Sequence, residues 1–121
     1  MAIDKTVLIV EDEKLFRELL AQTLEMEGFQ CLTAENGEQG LALLKRNVPD
    51  VILADLLMPV MDGMKFIKRT RQEFQEDIPI LVLTCVDSRA VVLECLIAGA
   101  TEVLVKPIKL NVLLERLKSI C

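Results

Sequence analysis

Five residues of this sequence are of a kind, and at a spacing, that could do chemistry: Glu11, Asp12, Asp55, Thr84 and Lys106. Each closes or follows a short aliphatic run. Glu11 and Asp12 follow Val7-Leu8-Ile9-Val10, and Asp55 ends Val51-Ile52-Leu53-Ala54. Thr84 ends Ile80-Leu81-Val82-Leu83, and Lys106 follows Val103-Leu104-Val105. Runs of this length and composition read as buried strands. In an open parallel sheet, working residues gather at the carboxyl ends of the strands. Three carboxylates, a hydroxyl and an ammonium are therefore expected along one edge.

Carboxylates gathered in a partly buried cleft repel one another. A hard divalent cation relieves that repulsion, and Mg²⁺ suits oxygen ligands while keeping some of its waters. Lys106 adds a fixed positive charge. A carboxylate beside a metal and a lysine can attack phosphorus when its partners neutralise the phosphoryl oxygens. Phosphoryl transfer asks mainly for positioning and charge neutralisation. The Thr84 hydroxyl can donate to a transferred oxygen.

The elements that must hold these residues alternate along the chain. After the first strand, Leu15, Phe16, Leu19, Leu20 and Leu24 recur at helical spacing from Lys14 to Glu27, and Gly28 ends the helix. Phe29 to Ala34 reads as a second strand. Asn36 caps a helix carrying Leu41, Leu43 and Leu44, which runs out near Asn47 and Pro49. The third strand leads through Met58-Pro59 and Asp62-Gly63, loop formers, into a helix over Met64 to Phe74. The fourth strand is followed by a helix over Ser88 to Ala98, stopped at Gly99. The fifth passes through Lys106-Pro107 to a last helix carrying Leu110, Leu113, Leu114 and Leu117. Five strand–helix repeats predict an α/β domain with one doubly wound, five-stranded parallel sheet covered on both faces.

The runs VLIVEDE, DVILADLLMPVMDG, LVLT and AGATEVLVKP, in this order, resemble the bacterial response regulator receiver family of two-component signalling. Each piece alone is weak; together they cover nearly the whole chain. The resemblance implies a flavodoxin-like fold with strand order 2-1-3-4-5 and Asp55 as phosphoacceptor. It implies Mg²⁺ held by Asp12, by Glu11 directly or through water, by Asp55 and by the backbone carbonyl of Leu57. Lys106 would pair with Asp55 and then with the phosphoryl group, and Thr84 would move toward it. The Lys106-Pro107 bond would be cis, a form that costs little before proline. The implied partners are a sensor histidine kinase or phosphotransfer protein and a downstream output domain or effector. A homodimer through the fourth helix, fifth strand and last helix is a further expectation. On this reading the chain catalyses only its own phosphorylation and dephosphorylation and is not an enzyme for other substrates.

Three positions depart from the family pattern. Val103 stands where receivers usually carry Tyr or Phe, so the output surface is expected to change without the usual aromatic movement. Leu57 and Val86, two residues beyond Asp55 and Thr84, are apolar where polar residues are common. Neither can orient an attacking water, which predicts slow self-dephosphorylation. An adaptor of the same fold that is never phosphorylated is the alternative.

Composition excludes several other classes. At 121 residues, 52% hydrophobic and 27% charged, the chain is expected to form one domain over residues 1–121 rather than remain disordered. The net charge of −5 disfavours direct nucleic-acid binding. No apolar stretch is long enough to span a bilayer, and MAIDKT is too short and polar for a signal peptide, so a cytoplasmic protein is expected. With no His and no CxxC spacing among Cys31, Cys85, Cys95 and Cys121, a Cys/His zinc site is disfavoured and small, buried, reduced thiols are expected. A phosphohydrolase using an aspartyl phosphate would want an acid at Leu57. A flavin site would want a Ser/Thr/Gly-rich first loop and more aromatics than four Phe, and no GxGxxG follows a strand. Two surface features complete the reading. The basic residues Lys65, Lys68, Arg69 and Arg71 read as a solvated helix face. Val91, Val92, Leu93, Cys95, Leu96 and Ile97 cover more of the fourth helix than one buried stripe requires, which predicts either extra packing against loops or a partner surface.

Overall fold

A computed structural model describes residues 4–74 and 77–121; the first three residues of the MAIDKT segment lie outside the described residues. Among the described residues, five strands and five helices alternate: β1 (Thr6–Val10), α1 (Lys14–Met26), β2 (Gln30–Ala34), α2 (Gly37–Leu44), β3 (Val51–Asp55), α3 (Gly63–Glu73), β4 (Ile80–Thr84), α4 (Arg89–Ala98), β5 (Glu102–Val105) and α5 (Leu110–Ile120). The strands form one sheet in the order β2-β1-β3-β4-β5, and every neighbouring pair is parallel. The expected doubly wound, flavodoxin-like sheet is the one observed.

Side chains alternate between the two faces of a strand, and the core divides accordingly. Leu8, Val10, Ile52, Ala54, Ile80 and Val82 point to one face, under Leu41 and Leu44 of α2, Phe66 and Ile67 of α3, and Cys95 of α4. Val7, Ile9, Val51, Leu53, Leu81 and Leu83 point to the other, under Leu20 and Leu24 of α1 and Leu113 and Leu117 of α5. A central strand covered on both faces has no solvent side to make polar, which explains the unbroken aliphatic runs. Each fully buried Leu, Ile, Val or Phe stabilises the fold by about 1.5–3 kcal/mol.

Three helices begin on side-chain caps that satisfy a free backbone N–H. Asn36 Oδ1 accepts from Gln39 N–H, Asp62 Oδ1 from Lys65 N–H, and Ser88 Oγ from Val91 N–H. Gly28 has φ 99°, the left-handed conformation expected of it after α1. Gly63 is required by contact instead. A Cβ there would lie 2.2 Å from the Asp55 carbonyl oxygen, so only glycine lets α3 start directly against the end of β3.

The structure corrects several details. Leu15 and Leu19 are 76% and 50% exposed, and the buried side of α1 is Leu20, Ala21 and Leu24, with Phe16 partly covered. Their spacing fits a helix, but the sheet covers only one stripe of it. On α4 Cys95 is buried and Val91 and Val92 are half-buried, while Leu93, Leu96 and Ile97 are exposed, so these last three are left uncovered. The cysteines are all free, yet only Cys95 is buried; Cys31 and Cys121 are half-buried and Cys85 is exposed. The basic face of α3 is not uniformly solvated. Arg69 bonds Glu38 and Glu73, and Arg71 donates from Nε and Nη2 to the Gly99 carbonyl at 3.0 and 2.8 Å.

Candidate functional site

Strand register brings the site together. Val10 pairs with Ala54 and Asp55 with Leu83, so Glu11, one step past Val10, stands beside Asp55. Thr84 pairs with Val105, and the Lys106 N–H donates to the Thr84 carbonyl at 2.7 Å, which sets Lys106 across the same edge. The predicted residues are therefore placed by the hydrogen-bond ladder of the sheet.

Glu11, Asp12 and Asp55 each offer a carboxylate oxygen within 4.8 Å of the others. Glu11 and Asp55 are buried, at 3% and 9% exposure, while Asp12 is exposed and opens the group to solvent. The Lys106 ammonium lies between the two buried acids, 3.1 Å from Glu11 Oε1 and 3.5 Å from Asp55 Oδ2. The other Asp55 oxygen, Oδ1, accepts from the Leu56 N–H at 2.7 Å. The Lys106-Pro107 peptide is cis.

Burial raises the Glu11 pKa, and the neighbouring Asp55 adds to the rise; the Glu13 N–H and Lys106 work against it. Burial alone would lower the Lys106 pKa, but the charges and hydrogen bonds of Glu11 and Asp55 outweigh it and raise the value. The acids thus keep the lysine charged, and the lysine tempers their mutual repulsion without neutralising three carboxylates.

Thr84 is fully buried at the adjacent strand end, and its Oγ1 accepts from the Val86 N–H at 3.1 Å. Its own hydroxyl proton remains available for donation. The side chains of Leu57 and Val86 offer no polar group to this edge; Leu57 is 56% exposed and Val86 half-buried. Val103 is half-buried and packs against the core beneath α2, α3 and α4.

Sequence reasoning missed three supporting contacts. Arg17 Nη1 donates to the Glu11 carbonyl at 2.7 Å, fastening α1 to the acidic strand end. The Glu13 N–H donates to Glu11 Oε2 at 3.2 Å. The Phe16 ring lies 4.5 Å, centroid to Nζ, from Lys106. Phe16 and Arg17 stand four and five residues after Asp12, about one helical turn on. That spacing was a usable signal, hidden because Phe16 also fits the apolar pattern of α1.

The fold and this edge define a class: residues 7–118 match the response regulator receiver domain, and the chain belongs to that family. Among its relatives is the phosphate regulon transcriptional regulatory protein PhoB of Pseudomonas aeruginosa, 39% identical over 98% of this chain and 52% of that protein. The response regulator MprA of a Mycobacterium species is 36% identical over 94% of this chain and 49% of its own length. The chain thus spans about half the length of these two regulators. Among solved structures, the chemotaxis response regulator CheY4 of Vibrio cholerae superposes with a TM-score of 0.91 at 36% identity, over 98% of this chain and 100% of that one. The response regulator TrrA of Thermotoga maritima, solved in complex with Mg²⁺-BeF, superposes at 0.86 with 32% identity, over 97% and 99% of the two chains. Among the described residues, no helix is long and apolar enough to cross a membrane.

Proposed function

We propose that this chain is a Mg²⁺-dependent phosphoacceptor switch: Asp55 takes a phosphoryl group from the phosphohistidine of a sensor histidine kinase or phosphotransfer protein. The observation that carries this reading is the Lys106 ammonium lying between Glu11 and Asp55 at the rim of a three-carboxylate cluster. The donor set suits Mg²⁺, since it is all oxygen, close together and open on the Asp12 side. Glu11, Asp12 and Asp55, with the Leu57 carbonyl, would hold the ion. Bound there, Mg²⁺ supplies charge neutralisation to the phosphoryl oxygens. That the related TrrA was crystallised with Mg²⁺-BeF supports the same ligand chemistry here.

The chain's own residues then divide the work. An Asp55 carboxylate oxygen forms the new bond to phosphorus as the N–P bond of phosphohistidine breaks, the imidazole keeping the electron pair and taking up a proton from water. Lys106 follows the negative charge from carboxylate to phosphoryl oxygen. Thr84, whose Oγ1 accepts from the Val86 N–H, donates its own hydroxyl proton to the phosphoryl group. Half-buried Val103 cannot swing as an aromatic would, so the change passes to α4, β5 and α5 by packing. That surface would meet an output domain, an effector or a second copy. With apolar Leu57 and Val86 flanking the site, the phosphoryl group is long-lived. The chain turns over no external substrate, and it works in the cytoplasm.

Incubation with Mg²⁺ and acetyl phosphate, followed by intact mass, tests the reading. The expected result is one phosphoryl gain that requires Mg²⁺ and vanishes in Asp55→Asn. A folded protein that gains none would overturn it in favour of the phosphorylation-independent adaptor.

A further inference from the structure

The Lys106 ammonium has a third neighbour besides its two acids. The Phe16 ring of α1 stands with its centroid 4.5 Å from Nζ, and the lysine side chain is 24% exposed. Phe16 itself is half-buried, seated against the core under α1 and α5. The ring, Cys85, Lys106, Pro107 and Ile108 line an open cavity of about 370 Å³. Lys106 thus reaches the acids along one wall of a mainly apolar recess. A flexible four-carbon side chain in such a recess can fold back, taking its charge away from Asp55. Any apolar residue at position 16 could fill space; only an aromatic face also attracts a cation.

We infer that Phe16 is a positioning residue: its ring face holds the Lys106 ammonium at the acidic edge, ready for the phosphoryl group. The inference rests on the phosphoacceptor reading above. An ammonium has three N–H donors, and Glu11 and Asp55 engage two of them. A third carboxylate would hold the lysine more firmly but would occupy the donor that a phosphoryl oxygen needs. An aromatic face attracts the charge without demanding a particular N–H, so the third donor stays free for transfer. When phosphorylation changes the charge on Asp55, the ring contact persists and the lysine needs only to exchange one partner.

Fluorinated phenylalanines at position 16 separate this role from packing, because fluorine drains the negative face of the ring and leaves its shape almost unchanged. In the acetyl phosphate reaction the Asp55–phosphorus bond forms as the P–O bond breaks and acetate leaves with the electron pair. The rate of that step, measured on the full chain with Mg²⁺, should fall stepwise from Phe through 4-fluoro- to 3,4,5-trifluorophenylalanine. The total fall should be about threefold, the size of a partly exposed cation–π contact, with the urea midpoint unchanged. Independently, in Mg²⁺-free protein the Lys106 ε-methylene protons should show a ring-current upfield shift that Phe16→Leu removes. A flat rate across a series that still phosphorylates, or the absence of that shift, overturns the role of Phe16. Failure of the wild type itself to take the phosphoryl group would remove the phosphoacceptor reading instead.

Discussion

The middle of the sheet and its β5 side are built differently. In β3 and β4 every residue is buried, and in β1 all but Thr6 are. In β5 every residue is only half-buried, and α4 above it contributes one buried side chain, Cys95. The acids stand on the buried strands, while Lys106 reaches them from the half-buried one. Firm packing fixes where the carboxylates sit, and the looser strand leads to the lysine that, on the proposed reading, follows the charge. Elements with few buried apolar contacts open and shift at lower free energy than a packed core. The same side leaves Leu93, Leu96 and Ile97 uncovered, so the region freest to respond is also the one with apolar surface to offer.

The contrast should appear first in stability. Phe66 of α3, fully buried, touches the space that a Cβ on Gly40 would need. Phe66→Ala should cost about 3–5 kcal/mol in urea unfolding. A loss near 1 kcal/mol would show that the middle of the fold is less tightly packed than its burial implies.

Thiol chemistry sharpens the comparison residue by residue. Burial, with a smaller contribution from Glu25, pushes the Cys31 thiol up to about 11 from 9.0. At neutral pH it therefore holds about a hundredth of the thiolate of an ordinary cysteine. Exposed Cys85 should be alkylated by iodoacetamide first, with Cys31 and buried Cys95 far behind. Above pH 9 the unfolded chain loses the Cys31 proton before the folded chain does, so stability should fall as pH rises from 9 toward 11. Equal labelling of Cys85 and Cys95 would mean that α4 opens freely.

A third effect asks whether the loops beyond the strand ends add chemistry of their own. Leu57→Asn combined with Val86→Glu should shorten the phosphoryl lifetime about tenfold, equivalent to about 1.4 kcal/mol of barrier. An unchanged lifetime would show that water attack is limited elsewhere. The smallest effect belongs to the open side: Ile97→Ser, at a position 77% exposed, should change stability by no more than about 0.5 kcal/mol.

Most of this architecture was legible in the sequence because strand and helix periods are local signals. The aliphatic runs marked β1, β3 and β4, and the residues ending them marked the edge where the acids, Thr84 and Lys106 stand. Caps at Asn36, Asp62 and Ser88 set three helix starts to within a residue or two of those expected. What stayed hidden depends on which neighbour covers which face. Leu15 and Leu19 have the spacing of a buried stripe, yet the sheet meets α1 along the stripe of Leu20, Ala21 and Leu24. Arg71 reads as a surface charge until the end of α4 is placed beside it, where the Gly99 carbonyl accepts two of its N–H groups. The Phe16–Lys106 contact joins residues far apart in sequence, and its one local signal, the spacing of Phe16 from Asp12, is masked by the apolar pattern of α1.

Because strand register, and no loop, sets Glu11 beside Asp55 and Lys106 across from Thr84, the acidic edge and the outer faces of this molecule are separable. The outer faces of the helices can be rewritten while the acidic edge keeps its dimensions; on the proposed reading the choice of donor and listener would change with them. On that reading, a library randomised at exposed positions such as Leu15, Leu19, Leu93 and Ile97 would yield chains that speak to different partners through one unaltered reaction.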